Sequence, residues 1–215
     1  MKYVNQTQIN PAAGVSFASA LRELVRQDPN IVMVGEIRDQ ETAEIAVQSA
    51  LTGHLVLSSL HTNDASTAVP RLLDMKVVPF LAAAVINLVE AQRLVRRICL
   101  SCITSYQPDE ALINTIKVQL KELDLDSTYK MPDRLYRGSG CSACASTGYK
   151  GRLCIYEILE VNEGVRTLIA SPEFTLDALK KLVKERGMVT MFEDGLRKVE
   201  RGLTTIEEVL RVIRE

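Results

Sequence analysis

Glu36 and His61 are the side chains of this sequence best suited to chemistry at a phosphate group. Each follows a short apolar run, Ile31–Val34 in the first case and Leu55–Leu57 in the second. A strand-end acid can help to hold the Mg²⁺ of a nucleotide, and an imidazole can reach its γ-phosphate or the attacking water. Taken alone, Glu36 is better explained as a solvated strand-end glutamate. His61 adds weight because it is predicted to share an edge with Glu36.

The other histidine and the arginines have weaker claims to a functional role. His54 begins the second apolar run, at its opposite end, and a structural hydrogen bond is the better explanation for it. Arg38 and the arginine cluster that begins at Arg93 could contact phosphate. Clustered charges usually form a solvated face, which we expect of Arg96 and Arg97, whereas Arg38 stays a candidate for the phosphate site.

Four of the five cysteines form two C-x-x-C pairs, Cys99 with Cys102 and Cys141 with Cys144. Two such pairs can supply four thiolates to a tetrahedral Zn²⁺, and a site closed by four sulfurs is structural because it leaves no position for a substrate. The long spacer between the pairs means that the metal would clasp distant segments. Four unrelated thiols and a redox role, which needs only one pair, are less favoured alternatives. We expect Cys154 to be a small core residue.

A strand, helix, strand unit is predicted to position Glu36 and His61. Runs that are apolar at every position suit strands covered on both faces, as in a parallel sheet. The carboxyl ends of parallel strands meet at one edge, so the two side chains should lie side by side there. Asp39 is predicted to cap the intervening helix, whose apolar residues recur at helical spacing: Ala43, Ala46, Val47, Ala50 and Leu51.

Further helices are predicted after this unit. Asn63 is expected to cap the next helix, and a proline-led helix is expected over residues 79–92. The chain is predicted to close with helices, the last of which begins with Thr205 and Glu208 at the spacing of a capping box.

The composition is that of an ordinary soluble globular protein. Of 215 residues, 47% are hydrophobic and 25% are charged, which is enough for a core and for more than one lobe. The formal net charge of -1, with both signs mixed along the chain, argues against nucleic acid binding. The longest apolar helix candidate is too short to span a bilayer, and the amino terminus lacks a secretory signal pattern. We therefore expect a cytoplasmic protein without a disulfide framework.

Several long motifs, in order, resemble those of the type II secretion and type IV pilus assembly ATPases, the general secretion pathway protein E family. The segment around Glu36 resembles the family signature, the segment around His61 its histidine box, and both cysteine pairs its tetracysteine region. The closing helices are also similar. The matching segments are RQDPNIVMVGEIRD, TGHLVLSSLHTNDA, AQRLVRRICLSC, CSACASTGYKGRLCIYEIL and EDGLRKVERGLTTIEEVLRV.

The resemblance implies an α/β fold with a partial RecA-like P-loop NTPase core, a zinc-binding tetracysteine lobe and carboxyl-terminal helices, over residues 1–92, 93–160 and 161–215. It implies ATP, Mg²⁺ and Zn²⁺ as cofactors, with Glu36 and His61 as catalytic residues. The implied nucleotide site contains Gly35, Glu36, Arg38, His54 and His61, and the implied metal ligands are Cys99, Cys102, Cys141 and Cys144. It also implies a hexameric motor, peripheral to the inner membrane through secretion or pilus platform proteins.

One family element is missing from the sequence. No G-x-x-x-x-G-K-[ST] motif occurs in it, and that loop supplies the backbone N–H cradle and the lysine that bind the β- and γ-phosphates. We therefore expect a carboxyl-terminal fragment that is inactive by itself, with an incomplete sheet that exposes an apolar edge. The alternatives are a related pilus-retraction motor, disfavoured by the tetracysteine region, and a non-hydrolysing zinc-containing interaction module.

Overall fold

The computed structural model describes residues 4–122 and 132–213. The chain forms two compact units, of which unit 1 comprises Met1–Glu90 with Ile158–Met188 and unit 2 comprises Ala91–Glu157 with Val189–Glu215. Residues 161–215, predicted as one helical region, are thus divided between the units. In chain order the elements are α1 (Phe17–Val25), β1 (Ile31–Val34), α2 (Gln40–Leu51), β2 (Leu55–Ser58), α3 (Ala68–Asp74), α4 (Pro79–Val85), β3 (Leu88–Ile98), β4 (Ile103–Tyr106), α5 (Glu110–Glu122), β5 (Leu135–Gly138), β6 (Tyr149–Glu160), α6 (Glu163–Ala170), α7 (Leu176–Glu185), α8 (Met191–Glu200) and α9 (Ile206–Ile213).

The predicted strand, helix, strand unit is confirmed. β1 and β2 pair in parallel, with Ile31 opposite Leu55 and Val34 opposite Ser58. The Asp39 carboxylate accepts a hydrogen bond from the Thr42 N–H at 2.8 Å and so caps α2, as predicted. The connection therefore brings the carboxyl ends of both strands to the same edge of the sheet.

The prediction that both faces of this sheet are covered is wrong for the described residues. Val32 and Val34 are each 5% exposed, whereas Met33 is 76% exposed and Ile31 and Leu55 lie open on the same side as Met33. Successive side chains of a strand point to opposite faces, and α1 and α2 pack against one of them. The described residues therefore leave one apolar face of the sheet open.

Two helix boundaries differ from prediction. The helix expected over residues 79–92 ends at Val85, and β3 begins at Leu88. From Leu88 onward exposed and partly buried residues alternate, because β3 pairs with β6 and a paired strand presents alternate residues to each face. Thr67, and not Asn63, is the residue before α3, so the helix starts late, as its internal Pro70 suggested.

The core of unit 2 forms around α8 and α9. Phe192 and Leu196 of α8 pack with Val209 of α9 and with strand residues of β3 and β6. The helices approach closely at Gly195, where an added Cβ would lie 2.5 Å from Cγ1 of Val209. A larger side chain at this position would force the helices apart.

A buried carboxylate attaches α9 to β3. Glu208 is 2% exposed and accepts hydrogen bonds from the Arg96 N–H at 2.9 Å and from Arg96 Nη2 at 2.7 Å. Arg211 Nη2 donates to the same carboxylate at 3.0 Å. The capping box predicted for Glu208 is therefore only half present: its N–H donates to Thr205 Oγ1, but its carboxylate faces the arginines. The Arg96 side chain is 51% exposed, as expected of a solvated face, but its guanidinium also pairs with this buried carboxylate, which was not predicted.

The charge on Glu208 should contribute to the acid sensitivity of unit 2. Burial by itself would raise the pKa of this carboxyl, but hydrogen bonds from Arg96 and Arg211 lower it to about 2. Because the folded-state pKa lies below the unfolded value, the stabilisation is fully present above pH 4.5 and is lost as the pH falls from there toward 2.

Glu208→Gln should lower the free energy of unfolding by about 2 kcal/mol at neutral pH, because it removes the charge that both arginines share. The difference from wild type, measured by urea denaturation at successive pH values, should shrink below pH 4.5. Glu207→Gln, at the exposed neighbouring position, is the matched control. An equal loss in that control, or no loss at Glu208, would contradict the assignment.

Candidate functional site

Backbone and side-chain hydrogen bonds continue the β1–β2 pairing beyond the strands. The Ile37 N–H donates to the Ser59 carbonyl at 3.0 Å, and Ser59 Oγ donates to the Gly35 carbonyl at 2.7 Å. These bonds tie the segment after β1 to the segment after β2. They hold Glu36 and His61 at the same edge, as the sequence predicted.

Glu36 and His61 are in direct contact. His61 Nε2 lies 2.9 Å from Glu36 Oε2, and Arg38 Nε lies 2.6 Å from the same oxygen. Hydrogen bonds from His61 and then Arg38 lower the pKa of the Glu36 carboxyl, against a smaller opposing effect of burial. The carboxylate is therefore ionised at physiological pH.

The edge is open to a ligand. The His61 side chain is 77% exposed and that of Arg38 65%, whereas the Glu36 side chain is 21% exposed. A charged carboxylate at the base, with an imidazole and a guanidinium above it, offers a hard oxygen ligand for a divalent cation and two donors for phosphate oxygens. This set of groups has the chemistry that a ligand with a metal ion and a phosphate would require.

Gly35 accepts the hydrogen bond from Ser59 through its carbonyl, and close packing does not require a glycine at this position. A Cβ at this position would meet Phe17 Cε1 at 3.7 Å, which is an ordinary contact. Among the described residues, no other atom comes so close to Gly35 that a side chain would be excluded. Its expected role at the nucleotide thus depends on the resemblance alone.

His54 is not brought to this edge. It precedes β2, and a four-residue strand separates it from the carboxyl end by about 13 Å. Its Nδ1 lies 2.9 Å from the Ser49 carbonyl and 3.1 Å from Thr52 Oγ1, at the end of α2. The contacts are those of the structural hydrogen bond that the sequence favoured.

The four cysteines of the two pairs form one cluster. Their sulfur atoms all lie within 4.8 Å of one another. Cys99 Sγ is 3.9 Å from Cys141 Sγ, and Cys102 Sγ is 3.9 Å from Cys144 Sγ. Four sulfurs at the usual Zn–S bond length around a tetrahedral ion stand about 3.8 Å apart. The donor set and its spacing therefore fit a closed Zn²⁺ site.

Strand pairing explains how segments so distant in sequence form one cluster. β4 and β5 are antiparallel, with Ile103 opposite Gly138, so the cysteine pair before β4 faces the pair after β5. The Cys99 N–H also donates to the Gly148 carbonyl at 2.9 Å. Gly138 and Gly148 are in backbone contact, since a Cβ on Gly138 would lie 2.1 Å from the Gly148 carbonyl oxygen.

The pKa values of two thiols in the cluster are shifted in opposite directions. Burial opposes ionisation of Cys144, but N–H donors from Cys141 and Gly148 lower the pKa of its thiol to about 6. Burial and the neighbouring sulfurs raise the pKa of the Cys102 thiol to about 12. Adjacent thiolates repel one another. A bound divalent ion would offset this repulsion when all four thiols are deprotonated.

Two residues near the site escaped the sequence interpretation. Ser59 ties the two strand ends together, and Asp64 holds the segment that follows His61. The D-x-x-T spacing of Asp64 and Thr67 is a local turn signal that was available in the sequence. No comparable signal marked Ser59, because its partner is a backbone carbonyl 24 residues away.

The fold and the site together define a class of protein. It is an α/β protein whose parallel strands present a glutamate and a histidine at their carboxyl edge, with a four-cysteine cluster of metal-binding geometry in a second unit. A family model described as Type II/IV secretion system protein matches residues 1–211, and the chain belongs to that family. Among the described residues, every helix is too short or too polar to cross a membrane.

The relatives with high sequence identity are ATPases of two systems, type IV pilus assembly and type II secretion. The chain is 48% identical over 207 residues to the type IV pilus assembly ATPase PilB of Thermus thermophilus, which covers 96% of this chain and 22% of that protein. It is 47% identical over 212 residues to the type II secretion system ATPase E of Vibrio cholerae, at 99% and 40% coverage.

The fold is similar to that of a solved motor protein. A crystal structure of the pilus retraction motor PilT with bound ADP matches with a TM-score of 0.60 and 26% identity, covering 92% of this chain and 43% of PilT. The chain therefore spans less than half the length of each of these three proteins.

Proposed function

We propose that this chain is part of a motor ATPase that couples ATP hydrolysis to assembly of a type IV pilus or a type II secretion pseudopilus. The observation that carries the proposal is the 2.9 Å contact between Glu36 and His61 at the carboxyl edge of β1 and β2. Family membership and the names of the relatives support the same function.

In this proposal the edge forms one wall of a nucleotide site in a RecA-like core. ATP with Mg²⁺ supplies the phosphoryl group and a cation that neutralises charge as that group transfers. With such a group bound, Glu36 would accept a hydrogen bond from a water ligand of the cation or from the attacking water, and His61 would donate toward the γ-phosphate. Arg38, whose Nε contacts Glu36 at 2.6 Å, would offer its remaining N–H groups to a phosphate oxygen, and the Gly35 backbone would line the nucleotide site.

The remainder of the site belongs to a longer chain in this proposal. The chain has no phosphate-binding loop motif and spans 22% and 40% of the two relatives. We therefore assign tight ATP binding and turnover to a full-length protein that includes such a loop, and expect this chain to be inactive by itself. A cytoplasmic hexamer, peripheral to the inner membrane through platform proteins, follows from the family resemblance.

The cysteine cluster has a structural role in this proposal. Cys99, Cys102, Cys141 and Cys144 hold Zn²⁺ and join the end of β3 to the start of β6 in unit 2. The sulfur spacing supports this assignment. The metal stabilises unit 2 and takes no part in hydrolysis, because four sulfur ligands leave no open coordination position.

Two alternatives remain as outcomes of the tests. A retraction motor is disfavoured, since PilT is 26% identical whereas the assembly and secretion ATPases reach 48% and 47%. A non-hydrolysing zinc-containing interaction module is favoured by one observation: the four-cysteine cluster is complete within this chain, but a phosphate-binding loop motif is not part of it.

The two histidines form a matched pair for testing the site. In the full-length protein, His61→Gln should lower kcat for ATP hydrolysis by at least about tenfold, because it removes a donor to the reacting phosphate. His54→Gln should leave kcat within about twofold of wild type, since the ring of His54 forms its hydrogen bonds with the end of α2. Steady-state hydrolysis measures both. Equal effects of the two substitutions would contradict the assignment of His61.

A further inference from the structure

A second anchor fixes the segment that carries His61. Two residues before His61, Ser59 is bound to the end of β1. Three residues after it, Asp64 Oδ1 accepts from the Thr67 N–H at 2.7 Å, and Thr67 Oγ1 donates back to the Asp64 carbonyl at 2.9 Å. His61 therefore lies on a short span between two attached points.

The second anchor extends beyond the local turn. Asp64 Oδ2 accepts from Lys180 Nζ at 3.0 Å, and Lys180 lies on α7, 116 residues further along the chain. Both residues belong to unit 1. The carboxylate thus uses one oxygen for the turn and the other for α7, so its orientation is fixed from two directions.

Burial makes this anchor effective. Ala65 is 0% and Ser66 1% exposed, so the chain enters the core of unit 1 directly after Asp64. The side chains of Asp64 and Lys180 are 29% and 48% exposed. Although burial acts to raise the pKa of Asp64, the contacts with Lys180 and Thr67 lower it, and the ion pair is retained at neutral pH.

We propose that Lys180 is a positioning residue for His61: through Asp64, α7 sets where the imidazole stands relative to Glu36. The inference rests on the proposed ATPase function. In this inference α7 influences the rate of ATP hydrolysis through the position of His61, and the helix itself does not contact the nucleotide. Lys180 itself touches neither Glu36 nor His61 in the described structure.

The test uses four single variants of the full-length protein and one double variant, Asp64→Asn with Lys180→Met. Lys180→Met removes the charge and keeps the length of the side chain. Lys180→Arg keeps the charge, and Lys181→Met removes the adjacent exposed lysine of α7 as a matched control. Asp64→Asn keeps an oxygen for the Thr67 N–H but loses the ion pair. Steady-state hydrolysis, thermal unfolding and hydrogen–deuterium exchange of residues 60–68 are measured for each.

Lys180→Met should lower kcat about fivefold, a ratio within the range of a partly exposed ion pair, while KM for ATP and the unfolding temperature stay near wild type. Exchange in residues 60–68 should become faster. Lys180→Arg and Lys181→Met should resemble wild type, and combining Asp64→Asn with Lys180→Met should give no loss beyond Asp64→Asn alone.

Two results would overturn the inference. One is wild-type kcat and unchanged exchange in Lys180→Met; the other is a loss of kcat matched by Lys181→Met or explained by a lower unfolding temperature. Failure of the underlying ATPase function has a separate signature, namely that Glu36→Gln keeps turnover. The exchange measurement reports on the Asp64–Lys180 anchor in either case.

Discussion

Glu36→Gln in the full-length protein is expected to abolish ATP turnover, by at least about 100-fold, while nucleotide still binds. The substitution preserves the shape of the side chain and removes its charge. Among the described contacts, the Glu36 carboxylate is the only group that both His61 Nε2 and Arg38 Nε contact. Steady-state hydrolysis and equilibrium binding of a fluorescent ATP analogue, measured on the same preparation, separate turnover from binding.

Glu41→Gln is the control for this prediction. Glu41 lies on α2 within the same unit, and its carboxylate forms an exposed ion pair with Arg22 at 2.8 Å instead of contacting His61 or Arg38. Its loss should leave turnover within about twofold of wild type, because exposed ion pairs contribute little. Wild-type turnover in Glu36→Gln would remove the motor assignment, and a joint loss of binding and turnover would indicate misfolding of unit 1.

The second large effect is expected at the cysteine cluster. The purified chain should contain one Zn²⁺, and Cys141→Ser should lose it, since a structural zinc site needs all four ligands. Metal binding in such sites is coupled to folding, so we expect the unfolding temperature to fall by about 10 °C or more. Elemental analysis of the metal content and thermal unfolding measure the two effects, and a strong chelator should reproduce the second.

Cys154 provides the matched control. It is a free thiol on β6, partly buried and outside the cluster. Cys154→Ser should keep the metal and nearly all of the stability. Absence of zinc from the wild-type chain, or equal zinc in Cys141→Ser, would exclude the metal clasp. Chelation that leaves the unfolding temperature unchanged would exclude its structural role.

These two predictions also separate the proposed functions. Glu36→Gln should keep zinc and lose turnover, because Glu36 and the cysteine cluster belong to different units. A non-hydrolysing interaction module predicts that turnover is absent from the full-length wild type as well. Hydrolysis that depends on Glu36 therefore distinguishes a motor from a module, whatever the metal content.

Local sequence patterns were sufficient to predict the strands and the helix that position the site. The apolar runs and the helical spacing between them identified β1, α2 and β2, and the Asp39 cap followed from its side-chain chemistry. The parallel connection then required the strand ends to meet at one edge. The proximity of Glu36 and His61 follows from that topology and was predictable from the sequence.

Local patterns failed where a distant partner decides the outcome. The segment after Val85 has apolar residues that fit a helix, yet Leu88–Ile98 is a strand because β6 pairs with it. Arg96 resembled a solvated charge because its partner, Glu208, is 112 residues away. Tertiary pairing overrides local preference in both cases.

The sequence by itself determined the types of the chemical groups and their order: an acid and an imidazole after two strands, and two cysteine pairs. Those groups are specified by contiguous residues, so they can be read without the fold. Only the tertiary structure decided which groups are in contact across long separations, such as Asp64 with Lys180 and Arg96 with Glu208. The physical reason is that an ion pair needs two side chains within a few ångströms, and for distant residues packing alone sets that distance.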